Sequence, residues 1–192
     1  MQPKIRIKYG KLLDPFLKVY VESKYNGYKF PSEEEVKRKV KLFRGIWEKY
    51  DYKFFNGLDK LGLSFKRNLI EVFIVSAVNR DMSSPLIIRS RYNEEEFINV
   101  LIHELLHVLL ADNEIKPTFK FGDETMSTQN HVYVFALMTY LFKDIFKEEY
   151  RLITERQKSS AFKNEDYFKA WNIVKTIGYQ SIVDEIKKVP KT

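Results

Sequence analysis

The residues best placed for chemistry are His103-Glu104-Leu105-Leu106-His107, two histidines four positions apart with a carboxylate directly after the first. On a helix, side chains four apart lie one above the other, so both imidazoles can reach a single metal ion. Glu104 then sits about a third of a turn round, close enough to polarise a water at that ion without ligating it. Zinc brings the pKa of its water toward ~7, and a carboxylate so placed can take the proton as the water attacks a carbonyl. The chain has only 3 histidines among 192 residues. At that frequency the pattern arises by chance roughly 3 times in 1,000 such chains, so it is read as chemistry rather than coincidence.

A catalytic zinc has three protein ligands and one open position. The chain has no cysteine, so any metal must be held by His, Asp or Glu. His131 is the one histidine left and is the expected third ligand. A carboxylate competes with it: Glu124 first, with Asp112, Glu114 and Asp123 behind. The extended pattern with Gly three and His six residues after the second motif histidine is excluded, because Leu110 and Asn113 stand there. No phosphate-binding loop, dinucleotide fingerprint or serine nucleophile elbow occurs. Met126 and Met138 read as core filler, and Tyr133 as a core or helix-surface residue rather than an oxyanion donor.

These residues need elements to hold them. Residues 97–110 are apolar on nearly every side except a stripe of Asn99, His103, Glu104 and His107, which predicts a buried helix lining a cleft, since unpaired His and Glu in a core are costly. Asn93 with Glu96 starts that helix, and Asp112-Asn113 ends it. Thr125–Thr128 resembles a cap for a further helix through 142, which carries His131. Upstream, Ser32 and Glu35 form a capping box before a stripe of Val36, Val40, Phe43, Trp47, Tyr50 and Phe54, one long helix predicted to stop at Asn56-Gly57. Residues 4–9, 69–78 and 85–90 read as strands, and the last, directly before the motif helix, is the expected edge for an extended peptide to add. Asp14-Pro15 looks like an N-cap and first-turn proline. Helices are expected over 144–157 and 166–177 and after Gly178. The order predicts an α+β fold, a small sheet packed on an active-site helix with additional C-terminal helices. The expected layout is one domain over 1–192: an N-terminal extension to about 30, a catalytic core over 31–142, and C-terminal helices over 143–192.

At this point the sequence resembles the SprT-like zinc metallopeptidases, and is similar in its compact size to the minigluzincins. His103, Glu104, His107, His131 and Phe135 match the family's H-E-x-x-H, distant third histidine and following aromatic. Trp47, Tyr50 and Phe54-Phe55-Asn56-Gly57-Leu58 look like the aromatic helix end that precedes the sheet. The likeness covers about 37–142. Val132 stands where the family has Gly, the gap from His107 to His131 is longer, and no Cys-rich ribbon follows. The resemblance implies a zincin-like fold, a Zn2+ cofactor held by His103, His107 and His131, Glu104 as general base, and a peptide or protein substrate.

The formal net charge is +7, unevenly spread, because residues 92–131 carry eight acids against Lys116 and Lys120. A basic body outside that stretch is compatible with weak, nonspecific, salt-sensitive nucleic acid binding. The alternative to an enzyme is a non-enzymatic zinc-stabilised binding protein associated with nucleic acid; Glu104 argues against it, because a closed structural site needs no such carboxylate. No secretory signal or stretch long enough to cross a bilayer is read, and with no cysteine the expectation is a cytoplasmic protein without membrane partners.

Overall fold

The computed structural model describes residues 2–116, 124–152 and 165–189. The elements run β1 (Lys4–Tyr9), α1 (Asp14–Lys24), α2 (Glu33–Trp47), α3 (Asp51–Asp59), β2 (Leu69–Val75), β3 (Met82–Ser83), β4 (Leu86–Arg89), α4 (Glu94–Asp112) and α5 (Met126–Tyr140). A π-helical turn, Leu141–Ile145, follows, then α6 (Glu165–Ile177) and α7 (Tyr179–Lys188). The class is mixed α and β, with helix predominating, as expected. The chain divides into two compact units, Met1–Asp51 with Arg67–Leu105, and Tyr52–Lys66 with Leu106–Thr192. Helix α4 runs through the division.

In the first unit the sheet order is β1-β2-β4-β3. β1 pairs parallel to β2 with Ile7 opposite Val72, and β2 parallel to β4 with Val72 opposite Leu86. Residues 4–9 are thus a full sheet strand. β3 pairs antiparallel to β4 through Ser83 and Leu86, so β4 is an inner strand over Leu86 and Ile87. The peptide edge expected at 85–90 belongs there to the two-residue β3, and the Arg89 N–H is already donated to the Asp81 carboxylate at 3.0 Å. The alternating pattern of β2 puts Ile70, Val72 and Ile74 in the core.

Helix α2 opens with the capping box read from sequence: the Ser32 N–H donates to Glu35 Oε2 at 2.7 Å and the Glu35 N–H to Ser32 Oγ at 3.2 Å. Its buried stripe includes Phe43, whose ring stacks on Phe97 at 3.8 Å between centroids. The single long helix, however, is two. The N–H groups of Lys49 and Tyr50 reach back only three residues, to Ile46 and Trp47 at 3.1 and 2.8 Å. This tighter turn separates α2 from α3. Gly57 does not stop the helix either. A Cβ there would lie 2.9 Å from Leu141 Cδ2, so the glycine serves the close approach of α3 to the π-helical turn within the second unit.

Asp14 is not an N-cap: the cap position is Leu13. The Asp14 carboxylate, 1% exposed, instead accepts from the Ser76 N–H at 2.7 Å, the Ser76 hydroxyl at 2.8 Å and the Tyr9 hydroxyl at 2.9 Å. Burial, with the hydrogen bond to Asp14 second, pushes the Tyr9 phenol up to about 12. Met126 is 65% exposed, contrary to the core role expected of it, because it is the first residue of α5 and points away from the packed face; Met138 is core. In the second unit α5 packs against α6 and α7, with Phe135 stacked on Trp171 at 4.1 Å and the Tyr179 hydroxyl donating to Asp144 at 2.9 Å. Of the helix expected over 144–157, residues 150–152 are helical, after the π-helical turn, and 153–157 lie outside the described residues.

Candidate metal centre

Helix α4 starts where expected: the Glu96 N–H donates to Asn93 Oδ1 at 2.9 Å, and the Asn93 N–H to Glu96 Oε2 at 3.1 Å. Its interior is apolar, with Phe97, Leu101, Ile102, Leu105 and Leu106 fully buried. His103 and Glu104 are enclosed as well, 9% and 7% exposed, and His107, one turn on from His103, is half-buried. Helix α5 is capped by Thr125, whose hydroxyl oxygen accepts from the Thr128 N–H at 3.1 Å. That cap fixes the first turn, and His131 follows in the second.

The ligand atoms of His103, His107 and His131 all lie within 4.8 Å of one another. The imidazoles of His107 and His131 meet edge to face at 4.9 Å. His131 Nδ1 lies 2.7 Å from the Ser127 carbonyl oxygen. A carbonyl only accepts, so Nδ1 carries the proton and Nε2 keeps its lone pair for a metal.

The electrostatics suit neutral ligands. Burial, and then the neighbouring His131, hold the His107 imidazole down at about 4. Burial also lowers His131, against the raising effects of its Ser127 hydrogen bond and of Asp166. Near neutral pH both rings are uncharged and can donate a lone pair. Burial pushes Glu104 up to about 8, and Asp81 adds to the rise while Arg80 opposes it. A cation beside such a carboxyl favours its ionised form. Three imidazoles with a buried carboxyl next to one of them are a donor set that fits zinc.

The carboxylates considered as alternative ligands are engaged elsewhere. Glu124 faces Lys169 at 3.7 Å. Asp112 accepts from the Lys66 N–H at 3.0 Å, and Glu114 pairs with the Lys66 ammonium at 3.1 Å. Asp123 lies outside the described residues. Tyr133 is core, 2% exposed.

Two neighbours escaped the sequence reading. The Tyr167 ring lies 4.1 Å from that of His131, and Asp166 accepts from the Thr125 hydroxyl at 2.6 Å and the Thr128 hydroxyl at 2.9 Å. Together they fasten the start of α6 to the turn carrying His131. Their sequence signal was only a first-turn acid and an aromatic on a late helix, with nothing to connect them to a histidine so far away.

Neither models of known protein families, nor curated proteins, nor solved structures give a match to this chain. The assignment of the centre therefore rests on its own geometry.

Proposed function

We propose that the protein is a zinc-dependent peptidase of the zincin kind, SprT-like in its ligand pattern, in which His103, His107 and His131 hold the ion. The observation that carries this reading is the convergence of the three histidines beside a buried carboxyl on the same helix. Bound there, zinc supplies Lewis-acid activation of water and of the scissile carbonyl. Glu104 accepts a proton at its carboxylate from the attacking water and passes it to the nitrogen that leaves as the peptide bond breaks. The burial of Glu104 limits competing water, which strengthens the charge interactions of that proton transfer. Ser127 holds His131 in the ligating tautomer, and Tyr167 covers one face of its ring.

Glu104→Gln tests the mechanism. Gln keeps the shape and cannot take the proton, so zinc content should persist while hydrolysis of a casein or peptide-library substrate falls by roughly 100-fold or more. Undiminished cleavage would refute it. Among the described residues no helix is long and apolar enough to cross a membrane.

A further inference from the structure

Helix α2 carries, on the face turned from its core, features that the metal centre leaves unexplained. Two adjoining hollows of about 410 and 460 Å³ run along it and share Arg38 and Leu42. Arg38, Lys41 and Lys49 line them, and Arg38 acts electrostatically on Glu35. Their spacing puts them on one side of the helix. Arg91 adds a further cation at the Pro31 end. The acids at the rim are Glu35, which is engaged with Ser32 in the capping box, and Glu94. The groove is positive, and it is floored by Leu42 and Ile46.

Two details point to an occupant. Gly45 lies in the last turn of α2, where a glycine still weakens the helix, yet a Cβ there would meet nothing within 4 Å. The fold itself does not call for a glycine, whereas a chain lying close along the groove does. Ser90, 1% exposed, lines the other hollow with its hydroxyl unpartnered. A buried polar group in that state is rare.

We propose that this groove docks an acidic, leucine-containing segment of polypeptide. The cations match its carboxylates, the apolar floor takes its aliphatic side chains, and Gly45 admits its backbone. From Arg38 to Ile46 the helix spans about 12 Å, the length of about four residues of extended chain. A nucleic acid strand would share the cations, but no aromatic ring lines the groove to stack its bases. That the docked segment belongs to a substrate rests on the peptidase reading above; the binding does not.

The test is fluorescence anisotropy with a labelled peptide of about ten residues alternating Asp or Glu with Leu, added to the zinc-loaded Glu104→Gln protein so that it stays uncut. Saturable binding is expected, weakened roughly tenfold or more by Arg38→Glu with Lys41→Glu. Gly45→Leu should weaken it similarly by filling the floor, with no charge altered and the helix favoured. Zinc content and unfolding midpoint serve as controls. No binding, binding indifferent to both variants, equal binding of the Lys-for-acid peptide, or tighter binding of a single-stranded oligonucleotide at the same residues would each overturn the proposal. Groove-dependent binding together with a wild type that cleaves nothing would uphold the groove and remove the peptidase reading.

Discussion

Replacing Glu104 by Gln should stabilise the metal-free protein, by an amount that depends on pH. The folded-state pKa is raised to about 8 from 4.5, chiefly because burial penalises the carboxylate. Between those two values the folded chain binds more protons than the unfolded chain, so stability falls as pH rises, by about 1.4 kcal/mol per pH unit. Stability present below pH 4.5 is thus lost progressively up to pH 8. At pH 7 the loss is on the order of 3 kcal/mol, a large share of the 5–15 kcal/mol typical of a domain. Gln is close in shape and does not titrate. Urea unfolding of EDTA-treated wild type and Glu104→Gln at pH 5 and pH 8 should therefore show the variant gaining on the wild type with pH, while the histidine contributions cancel in the comparison. Zinc should close the gap by favouring the ionised carboxylate. Parallel stabilities at both pH values would refute the reasoning, because they would mean that Glu104 is solvated.

His107 acts in the opposite pH direction. Its folded pKa of about 4 lies below 6.5, so the unfolded chain binds the extra proton between those values and the metal-free protein should lose on the order of 3 kcal/mol as pH falls from 6.5 to 4; a His107→Gln variant unfolded over the same range should lose less. Asp14→Ala should cost about 2–3 kcal/mol in chemical denaturation, since it orphans the buried Ser76 N–H and hydroxyl. Tyr167→Ala should weaken zinc binding by uncovering the His131 ring, and Tyr167→Phe should restore it, as a chelator competition would show; equal affinities in all three proteins would show that the ring contact is idle.

Local patterns were the legible part of this sequence. The H-E-x-x-H spacing and both Ser/Asn capping boxes involve residues a turn apart, and the helix enforces their geometry. The break between α2 and α3 was hidden because the apolar spacing of Trp47, Tyr50 and Phe54 runs on through it in the sequence. Gly57 looked like a stop signal, and only its packing against Leu141 shows why a helix keeps it. Asp14 looked like a cap because its partner Ser76 is 62 positions away. The sheet edge was misread for a similar reason: a two-residue β3 has no periodicity to announce it. His131 was reached by elimination among three histidines, whereas Tyr167 and Asp166 depend on the docking of α6 and left no local trace.

The central claim concerns three histidine ligands, so zinc stoichiometry in the wild type, His131→Ala and Glu124→Ala proteins tests it most directly. The wild type and Glu124→Ala should each hold one zinc per chain after dialysis against a weak chelator. His131→Ala should lose it, with the fold checked by circular dichroism. Full zinc occupancy in His131→Ala together with loss in Glu124→Ala would contradict the account and make the third ligand a carboxylate.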